Sequence, residues 1–148
     1  MNNFIQIQPI SAKKTYAIRQ LELRKGRAIS DCVFEGDELP TTFHLEAILN
    51  EEQVGIVSAF KNKHPEFEFN NSYQIRGVAV SNHLQGNGIG KKLMEGIEQF
   101  LMEKKVSFLW LNARENAVPF YESIAYTLHG NAFNIPSIGI HYLYYKRL

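Results

Sequence analysis

The chain lacks several features that would place it in a special class of protein. It has one cysteine in 148 residues, which excludes an internal disulfide and a zinc site built from several cysteines. No stretch approaches the roughly 20 consecutive apolar residues needed to cross a bilayer, and the polar start at residues 1–3 does not resemble a signal segment. The formal net charge is only +1, which argues against a large nucleic-acid-binding surface. We therefore expect a cytoplasmic protein that binds neither membranes nor nucleic acid.

What the chain contains is typical of a globular domain. Hydrophobic residues make up 45% of the composition and charged residues 21%, and a chain of this length can bury a sizeable core. No linker, repeat or low-complexity stretch divides it, so we predict a single domain over residues 1–148. Strand-like runs alternate with helix-like runs, which predicts an α/β (α+β) protein with a central mixed sheet and helices on both faces.

Hydrophobic periodicity and turn residues predict the element boundaries. In the first helix, Ser11 is a candidate N-cap, and Tyr16, Ile18 and Leu21 supply an apolar face. The predicted helices are residues 11–24, 88–104 and 117–124. The predicted strands are residues 4–8, 43–49, 54–61, 73–80 and 106–112, followed by two terminal strands.

A glycine-rich segment joins the fourth predicted strand to the second helix. This glycine loop, residues 85–90, reads Gln-Gly-Asn-Gly-Ile-Gly. Backbone N–H groups at such a helix start, together with the helix dipole, form a binding site for phosphate. Glycine permits both positive φ angles and the close approach of a ligand. The loop therefore predicts a phosphorylated ligand.

Two common nucleotide motifs do not fit the glycine loop. A P-loop requires Ser or Thr directly after its Gly-Lys pair, and Lys92 stands there. A dinucleotide fingerprint requires a third glycine at a position that is occupied by Lys91 or Leu93, depending on the starting glycine. The ligand is therefore expected to be neither a P-loop nucleotide nor a nicotinamide or flavin dinucleotide.

The loop instead resembles the coenzyme A pyrophosphate loop of the GCN5-related N-acetyltransferase (GNAT) superfamily. Gln85, Gly88 and Gly90 occupy the fixed positions of its pattern Gln/Arg-x-x-Gly-x-Gly/Ala. About thirty residues later, residues 116–126 resemble the superfamily's second motif, Asn-x-x-Ala/Pro-x-x-Phe/Leu-Tyr followed by Gly-Phe/Tyr, with Ala125 in place of the glycine. Two motifs in this order are specific, and the resemblance is clear over residues 72–126.

The resemblance implies a GNAT fold, with a twisted and mostly antiparallel sheet. It also implies transfer of an acetyl group from acetyl-CoA to a primary amine by direct attack on the thioester. The acceptor would be a small-molecule or peptide amine, and no metal is implied. Superfamily members are often dimers, so a homodimer is expected only by analogy. Two alternatives stay open, namely a non-catalytic acyl-CoA sensor and an acyltransferase that uses another acyl-CoA such as succinyl-CoA.

The resemblance also assigns residues to the cofactor. In the superfamily, the strand before the loop splays from its neighbour and the pantetheine arm pairs with its edge; Gly77 suits a bulge in such a strand. Residues 78–80 either serve this edge or simply pack in the core. Asn116 either caps the following helix or contacts the pantetheine or pyrophosphate. The predicted cofactor-binding residues are Val78, Ala79, Val80, Gln85, Gly86, Asn87, Gly88, Ile89, Gly90, Lys91, Asn112, Asn116 and Phe120.

By motif position, Tyr121 is the predicted catalytic residue. A tyrosine hydroxyl has an ordinary pKa of ~10, so it is protonated at neutral pH and can protonate the departing thiolate. The alternative is an aromatic core residue. One helical step is about 100°, so we expect Phe120 to face the core and Tyr121 to face the cleft.

The general base is not evident, because Arg76 stands on the strand where many relatives carry Glu. Arg76 either binds a carboxylate or phosphate on the substrate or forms a structural ion pair. His141 either takes part in catalysis or is structural. Arg76 and His141 are the predicted substrate-binding residues.

Overall fold

The computed structural model describes residues 4–148, and seven strands in that range form one mixed sheet. They are β1 (Gln6–Ile10), β2 (Phe43–Leu49), β3 (Glu52–Lys61), β4 (Ser72–Val80), β5 (Phe108–Arg114), β6 (Thr127–Ile135) and β7 (Gly139–Arg147). Their order is β1-β2-β3-β4-β5-β7-β6; β4 and β5 are parallel, and the other neighbouring pairs are antiparallel. Residues 1–3, on which the expectation about a signal segment rests, lie outside the described range.

Helical segments connect the strands. No helix among the described residues is long and apolar enough to span a membrane. Three helical segments follow one another without a break, and together we call them segment 12–23. They are a 3-10 turn at Ala12–Thr15, α1 (Tyr16–Ile18) and a π-helical turn at Arg19–Leu23. The other helical segments are α2 (Ile89–Glu103), α3 (Val118–Ser123) and 3-10 turns at Ile29–Cys32, Asn82–Leu84 and Glu115–Ala117.

The two faces of the sheet are covered by different helices, as predicted. On β3, Val57 packs into a core with the buried side of α2, including Leu93. The next residue along the strand, Ile56, packs instead with Ile18 of segment 12–23. Side chains on a strand alternate between faces, so α2 and segment 12–23 lie on opposite sides. We call these sides the α2 face and the opposite face.

The predicted apolar side of the first helix is wrong at Leu21. Leu21 is 64% exposed, whereas the charged neighbour Arg19 is fully buried. The chain changes from α-helical to π-helical hydrogen bonding at Arg19–Leu23, which alters the direction of successive side chains. Arg19 can take the inward position because Asp37 neutralises it there. Ser11 precedes the segment, but its side chain makes no capping hydrogen bond.

The helix α2 begins at Ile89, within the glycine loop and one residue later than predicted. Gly88, the residue before it, has a φ of +80°, which favours glycine. The buried side chains follow the predicted i, i+4 spacing because that spacing keeps them on one side of a helix. They are Ile89, Leu93, Met94, Ile97 and Leu101.

The turn after α3 explains why the superfamily motif has glycine where this chain has Ala125. Ala125 has a φ of +72°, in the left-handed region that alanine adopts only at a free-energy cost of about 1 kcal/mol. The turn nevertheless closes, because the backbone N–H of Tyr126 donates to the carbonyl of Tyr121 at 3.0 Å. Alanine at this position therefore keeps the motif's turn and the place of its aromatic residue.

The strands β4 and β5 pair over only a short part of their length. The parallel register joins Ser72–Gln74 of β4 to residues 108–110 of β5, and beyond it the strands diverge. On its other edge β4 carries a bulge, where Val57 of β3 lies opposite both Gly77 and Val78. Gly77 has a φ of +65°, and a Cβ there would lie 3.3 Å from the ring of Phe34. The predicted bulge and the predicted splaying of β4 are both present.

Candidate functional site

A cavity of about 1070 Å³ opens where β4 and β5 diverge. From the α2 face it is lined by the glycine loop, together with Phe120 and Tyr121 of α3. From the opposite face it is lined by the end of segment 12–23 and by Phe34 and Arg76. Because both faces contribute, the cavity extends through the gap between the strands.

All but one of the residues predicted to bind cofactor or substrate line this cavity, and so does Tyr121. The exception is Asn87, whose side-chain amide donates to the carbonyls of Leu84 at 3.0 Å and Gln85 at 3.4 Å. Asn87 therefore shapes the turn. Strand alternation places Arg76 and Asn112 on the opposite face from the glycine loop. The predicted residues therefore lie on both faces of the sheet.

The glycine loop presents open backbone to the cavity. Gly86 and Gly88 have φ angles of +84° and +80°, and a Cβ on either would have no heavy atom within 4 Å. Gly90 differs, because a Cβ there would lie 3.2 Å from the ring of Phe120. Gln85 ties the loop to the end of β4 by donating from Nε2 to the carbonyl of Val80 at 3.2 Å.

The start of α2 supplies hydrogen-bond donors beside this open backbone. Hydrogen bonding within the helix begins with the N–H of Lys92, which donates to the carbonyl of Gly88 at 3.1 Å. The preceding N–H groups at the start of a helix have no partner within it, and no side chain caps α2. Lys91 adds a positive charge at the same place. These groups fit an anion such as a pyrophosphate.

The unpaired edge of β4 is the second polar feature of the cavity. Its pairing with β5 ends at Gln74, but the strand continues to Val80. The opposite edge is occupied by β3, which pairs as far as Val80. The edge that faces the gap therefore carries main-chain groups that β5 does not satisfy, and an extended ligand with amide groups could pair with it as an added strand.

The side chain of Tyr121 is 8% exposed and lies in the core on the α2 face, yet it also lines the cavity. Its ring packs edge-on against Phe120 and Tyr126, at centroid distances of 5.0 and 5.8 Å. Phe120 is only half-buried, so the expectation that it alone would take the core position is not met. Tyr121 takes that position and lines the cavity as well.

The hydroxyl of Tyr121 is set apart from those of the neighbouring tyrosines. Tyr126 donates to a carboxylate oxygen of Glu98 at 2.7 Å, and Tyr144 donates to one of Glu122 at 2.9 Å. The Tyr121 hydroxyl has no hydrogen-bond partner among residues 4–148. Burial raises the pKa of Tyr121 well above its ordinary value, so its hydroxyl stays protonated at physiological pH.

A buried arginine fixes one wall of the cavity on the opposite face. Arg19 donates twice to the carboxylate of Asp37, at 2.6 and 2.9 Å, and also to Ser58 Oγ at 3.0 Å. Its guanidinium lies 3.8 Å from the centroid of the Phe34 ring, and the backbone N–H of Phe34 donates to Asp37 at 2.8 Å. Phe34 is thereby held in place. Sequence reasoning missed this group, because residues 25–40 read as a loop.

Arg76 also lies over the ring of Phe34. Its guanidinium is 4.5 Å from the centroid of that ring and 5.4 Å from that of Phe60. Burial lowers the pKa of Arg76, and the charges of Arg19 and Arg24 lower it further. No carboxylate of the described chain forms an ion pair with Arg76, so the structural ion-pair interpretation does not hold.

His141 is buried on β7 beside the end of β5, where its register partner is Arg114. Its Nδ1 lies 2.8 Å from the carbonyl oxygen of Gly139. A carbonyl only accepts, so Nδ1 carries the proton, and a neutral ring then has its lone pair on Nε2. Because His141 lines the cavity, this nitrogen is a hydrogen-bond acceptor at the site.

Two asparagines complete the predicted set. Asn112 lines the cavity, and its Oδ1 is buried without a hydrogen-bond partner in the described part of the chain. Asn116 is exposed in the turn before α3, and Ala117, not Asn116, is the N-cap residue of that helix. The capping interpretation of Asn116 is therefore wrong. Residues 4–148 contain no cluster of three or more His, Cys, Asp or Glu side chains placed to hold a metal ion.

Comparison with known proteins gives consistent matches. The family model described as "Acetyltransferase (GNAT) family" matches residues 8–126. The "Uncharacterized N-acetyltransferase YitI" of Bacillus subtilis (strain 168) is 29% identical over 144 residues, which cover 97% of each protein. A solved putative N-acetyltransferase from Lactobacillus plantarum matches with a TM-score of 0.78 at 16% identity, over 99% of each chain. An aminoglycoside 6'-N-acetyltransferase complexed with coenzyme A matches with a TM-score of 0.77 at 14% identity, over 96% of each chain. The solved structures share the fold of this chain.

Proposed function

Because the chain belongs to the GNAT acetyltransferase family, we propose that it transfers an acetyl group from acetyl-CoA to a primary amine. The observation that carries this proposal is the cavity between β4 and β5. It joins the glycine loop on the α2 face to the part of the opposite face that is lined by Arg24, Arg76 and Arg114. The cofactor would enter from the first side and the amine from the second. The thioester would then lie in the gap, beside Tyr121.

The residues of the α2 face fit coenzyme A. The open backbone at Gly86 and Gly88 and the first N–H groups of α2 would bind the pyrophosphate. The free edge of β4, up to Val80, would pair with the amides of the pantetheine arm. Coenzyme A in the similar aminoglycoside acetyltransferase supports this choice of ligand. We propose that the other predicted cofactor-binding residues contribute as well, except that Asn87 acts by shaping the turn and Asn112 acts from the opposite face.

Tyr121 would act as the general acid. The amine nitrogen forms a bond to the carbonyl carbon of the thioester, and a backbone N–H near Val80 stabilises the negative charge on the carbonyl oxygen. The carbon–sulfur bond then breaks, the Tyr121 hydroxyl donates its proton to the departing sulfur, and the proton that the attacking nitrogen loses restores the hydroxyl. A hydroxyl that stays protonated and has no structural hydrogen bond is suited to this role.

His141 would accept the proton that the substrate ammonium must lose. Its Nδ1–H bond to Gly139 leaves Nε2 as the acceptor, and β7 places the ring on the face from which the amine would arrive. His141 and Tyr121 would thus act from opposite faces of the sheet. Two separate groups would therefore supply the general base and the general acid.

The Tyr121 hydroxyl also favours an enzyme over a non-catalytic acyl-CoA sensor. The Tyr121 hydroxyl is not among the buried side-chain atoms that lack a partner, and it lines the cavity. Phenylalanine would give the same ring packing. A sensor would gain nothing from the hydroxyl, whereas an acetyltransferase needs a proton donor near the sulfur.

The first prediction concerns the glycine loop. Gly88→Ala should weaken coenzyme A binding about 10- to 100-fold, because its Cβ would occupy the space where the phosphate meets the backbone donors. The matched control is Gly26→Ala, because Gly26 has a φ of +76° and equally open surroundings but lies outside the cavity. Both variants should lose similar stability, about 1 kcal/mol. Calorimetric titration showing equal affinities for both variants would contradict the assignment of the loop.

The second prediction concerns the acid. Tyr121→Phe should lower kcat on the order of 10²–10⁴-fold when chemistry limits turnover, because it removes the proton donor and keeps the ring. The coenzyme A dissociation constant should stay the same, since the hydroxyl acts on charge that develops only in the transition state. Steady-state release of free thiol, with calorimetry as the control, measures both. Full activity of the variant would dismiss Tyr121 as the acid.

The third prediction concerns the base. His141→Gln should lower kcat/KM about 10²-fold or more at neutral pH, since Nε2 no longer accepts the ammonium proton. The defect should shrink as the pH rises toward the pKa of the acceptor amine, because the amine is then already neutral. A pH–rate profile of both proteins tests this. A defect of constant size at every pH would indicate a structural role instead.

A further inference from the structure

Three arginines with no ion-pair partner among the described residues meet at the acceptor end of the cavity. Arg24 and Arg76 both lie over the ring of Phe34, with guanidinium-to-centroid distances of 5.6 and 4.5 Å. Burial lowers the pKa of Arg24, and the charge of Arg114, at the end of β5, lowers it further. All three are half-buried and line the cavity. We call Arg24, Arg76 and Arg114 the arginine cluster.

Carboxylates near the arginine cluster are bound to other groups. Glu22 is the only carboxylate among the described lining residues, and its Oε2 accepts from the backbone N–H of Asn82 at 3.0 Å. None of the three arginines has an ion-pair partner among residues 4–148. The other nearby carboxylates and their partners are Asp37 with Arg19, Asp31 with Arg27, and Glu115 with Tyr142.

Such an arrangement is unfavourable for folding alone. Like charges in a partly buried site repel one another, and burial removes the water that would screen them. The formal net charge of the whole chain is only +1, so the cluster is a local feature and not part of a basic surface. Unbalanced charge inside a cavity is typical of a site that receives a ligand of opposite sign.

We propose that the acceptor is an amine that also carries an anionic group, and that the arginine cluster binds this group while the amine reaches the gap. The proposal rests on the proposed acetyl transfer and specifies its acceptor. A guanidinium group forms paired hydrogen bonds with carboxylate or phosphate oxygens. Leu23, Phe34, Ile135 and Ile138 line the cavity alongside the arginines, so the part of the acceptor between its two polar groups can be apolar.

The arginine cluster would also promote the reaction of its ligand. Positive charge near an ammonium group favours loss of its proton, so the bound amine would be neutral more often than in water. The field of the arginine cluster would thus assist His141 Nε2 in removing the ammonium proton.

The test compares pairs of amines with and without the anionic group, with each kcat/KM expressed per neutral amine because the pKa of the amine differs within a pair. Leucine is paired with leucinamide, and O-phosphoethanolamine with ethanolamine, with acetyl-CoA as the donor. The charged member should have the higher kcat/KM, by about 10- to 100-fold, the range expected for charge-assisted hydrogen bonds. Carboxylate and phosphate acceptors are distinguished by which pair shows the larger ratio. Equal values in both pairs would overturn the proposal.

Variants locate the effect in the protein. Arg76→Gln should raise KM for the charged amine about 10- to 100-fold, with little change for its neutral partner or for coenzyme A affinity. The matched control is Arg147→Gln, because the guanidinium of Arg147 also lies over a phenylalanine ring, that of Phe69 at 5.2 Å, but Arg147 lies outside the cavity. The control should leave every constant unchanged. An equal loss for charged and neutral amines, or an equal effect of both variants, would contradict the role of the arginine cluster.

Binding measurements separate this proposal from the proposed function. Calorimetry with the coenzyme A complex compares N-acetylleucine with N-acetylleucinamide, and only the first should bind more weakly to Arg76→Gln. No transfer to any amine would contradict the acetyltransferase activity and leave this readout intact. Equal binding of the two ligands would contradict the anion site.

If succinyl-CoA outperforms acetyl-CoA with neutral amines, and Arg76→Gln removes that preference, the cluster binds the acyl group and the acceptor assignment is wrong.

Discussion

The early end of pairing between β4 and β5 is the constraint on which the rest of the site depends. Main-chain groups of a strand need partners, and a sheet normally supplies them from the next strand. Here the parallel register covers only Ser72–Gln74 of β4, so an edge of backbone faces an opening in the middle of the sheet. Phe34, held by Arg19, forms a wall of the opening on one face, and α3 forms a wall on the other.

In the proposed reaction, the opening would separate the binding of the cofactor from that of the acceptor. Open glycine backbone and a helix start, which suit phosphate binding, both lie on the α2 face. The arginines around Phe34, proposed to bind the acceptor, lie on the opposite face. The transfer itself would take place in the gap, with Tyr121 on one face and His141 on the other.

Features of the fold that depend on local sequence could be predicted, and those that depend on distant contacts could not. The strand boundaries that were assigned lie within two residues of the observed ones, because alternation and turn residues act locally. The position of α2 was likewise evident from its spacing. Leu21 was assigned to the wrong environment, and the burial of Arg19 was not predicted because it requires Asp37, which is far away in sequence. For the same reason, the sequence did not indicate Arg24 and Arg114, because only the folded chain brings them close to Arg76.

Our central proposal is that the free edge of β4 and the glycine loop form one binding surface for coenzyme A. Hydrogen exchange of backbone amides, measured with and without saturating coenzyme A, tests this claim directly. The account predicts slower exchange in residues 75–80 and 86–91 on binding, with little change in residues 72–74, which are already paired with β5. Protection of residues 86–91 without any change in residues 75–80, at full occupancy, would contradict it.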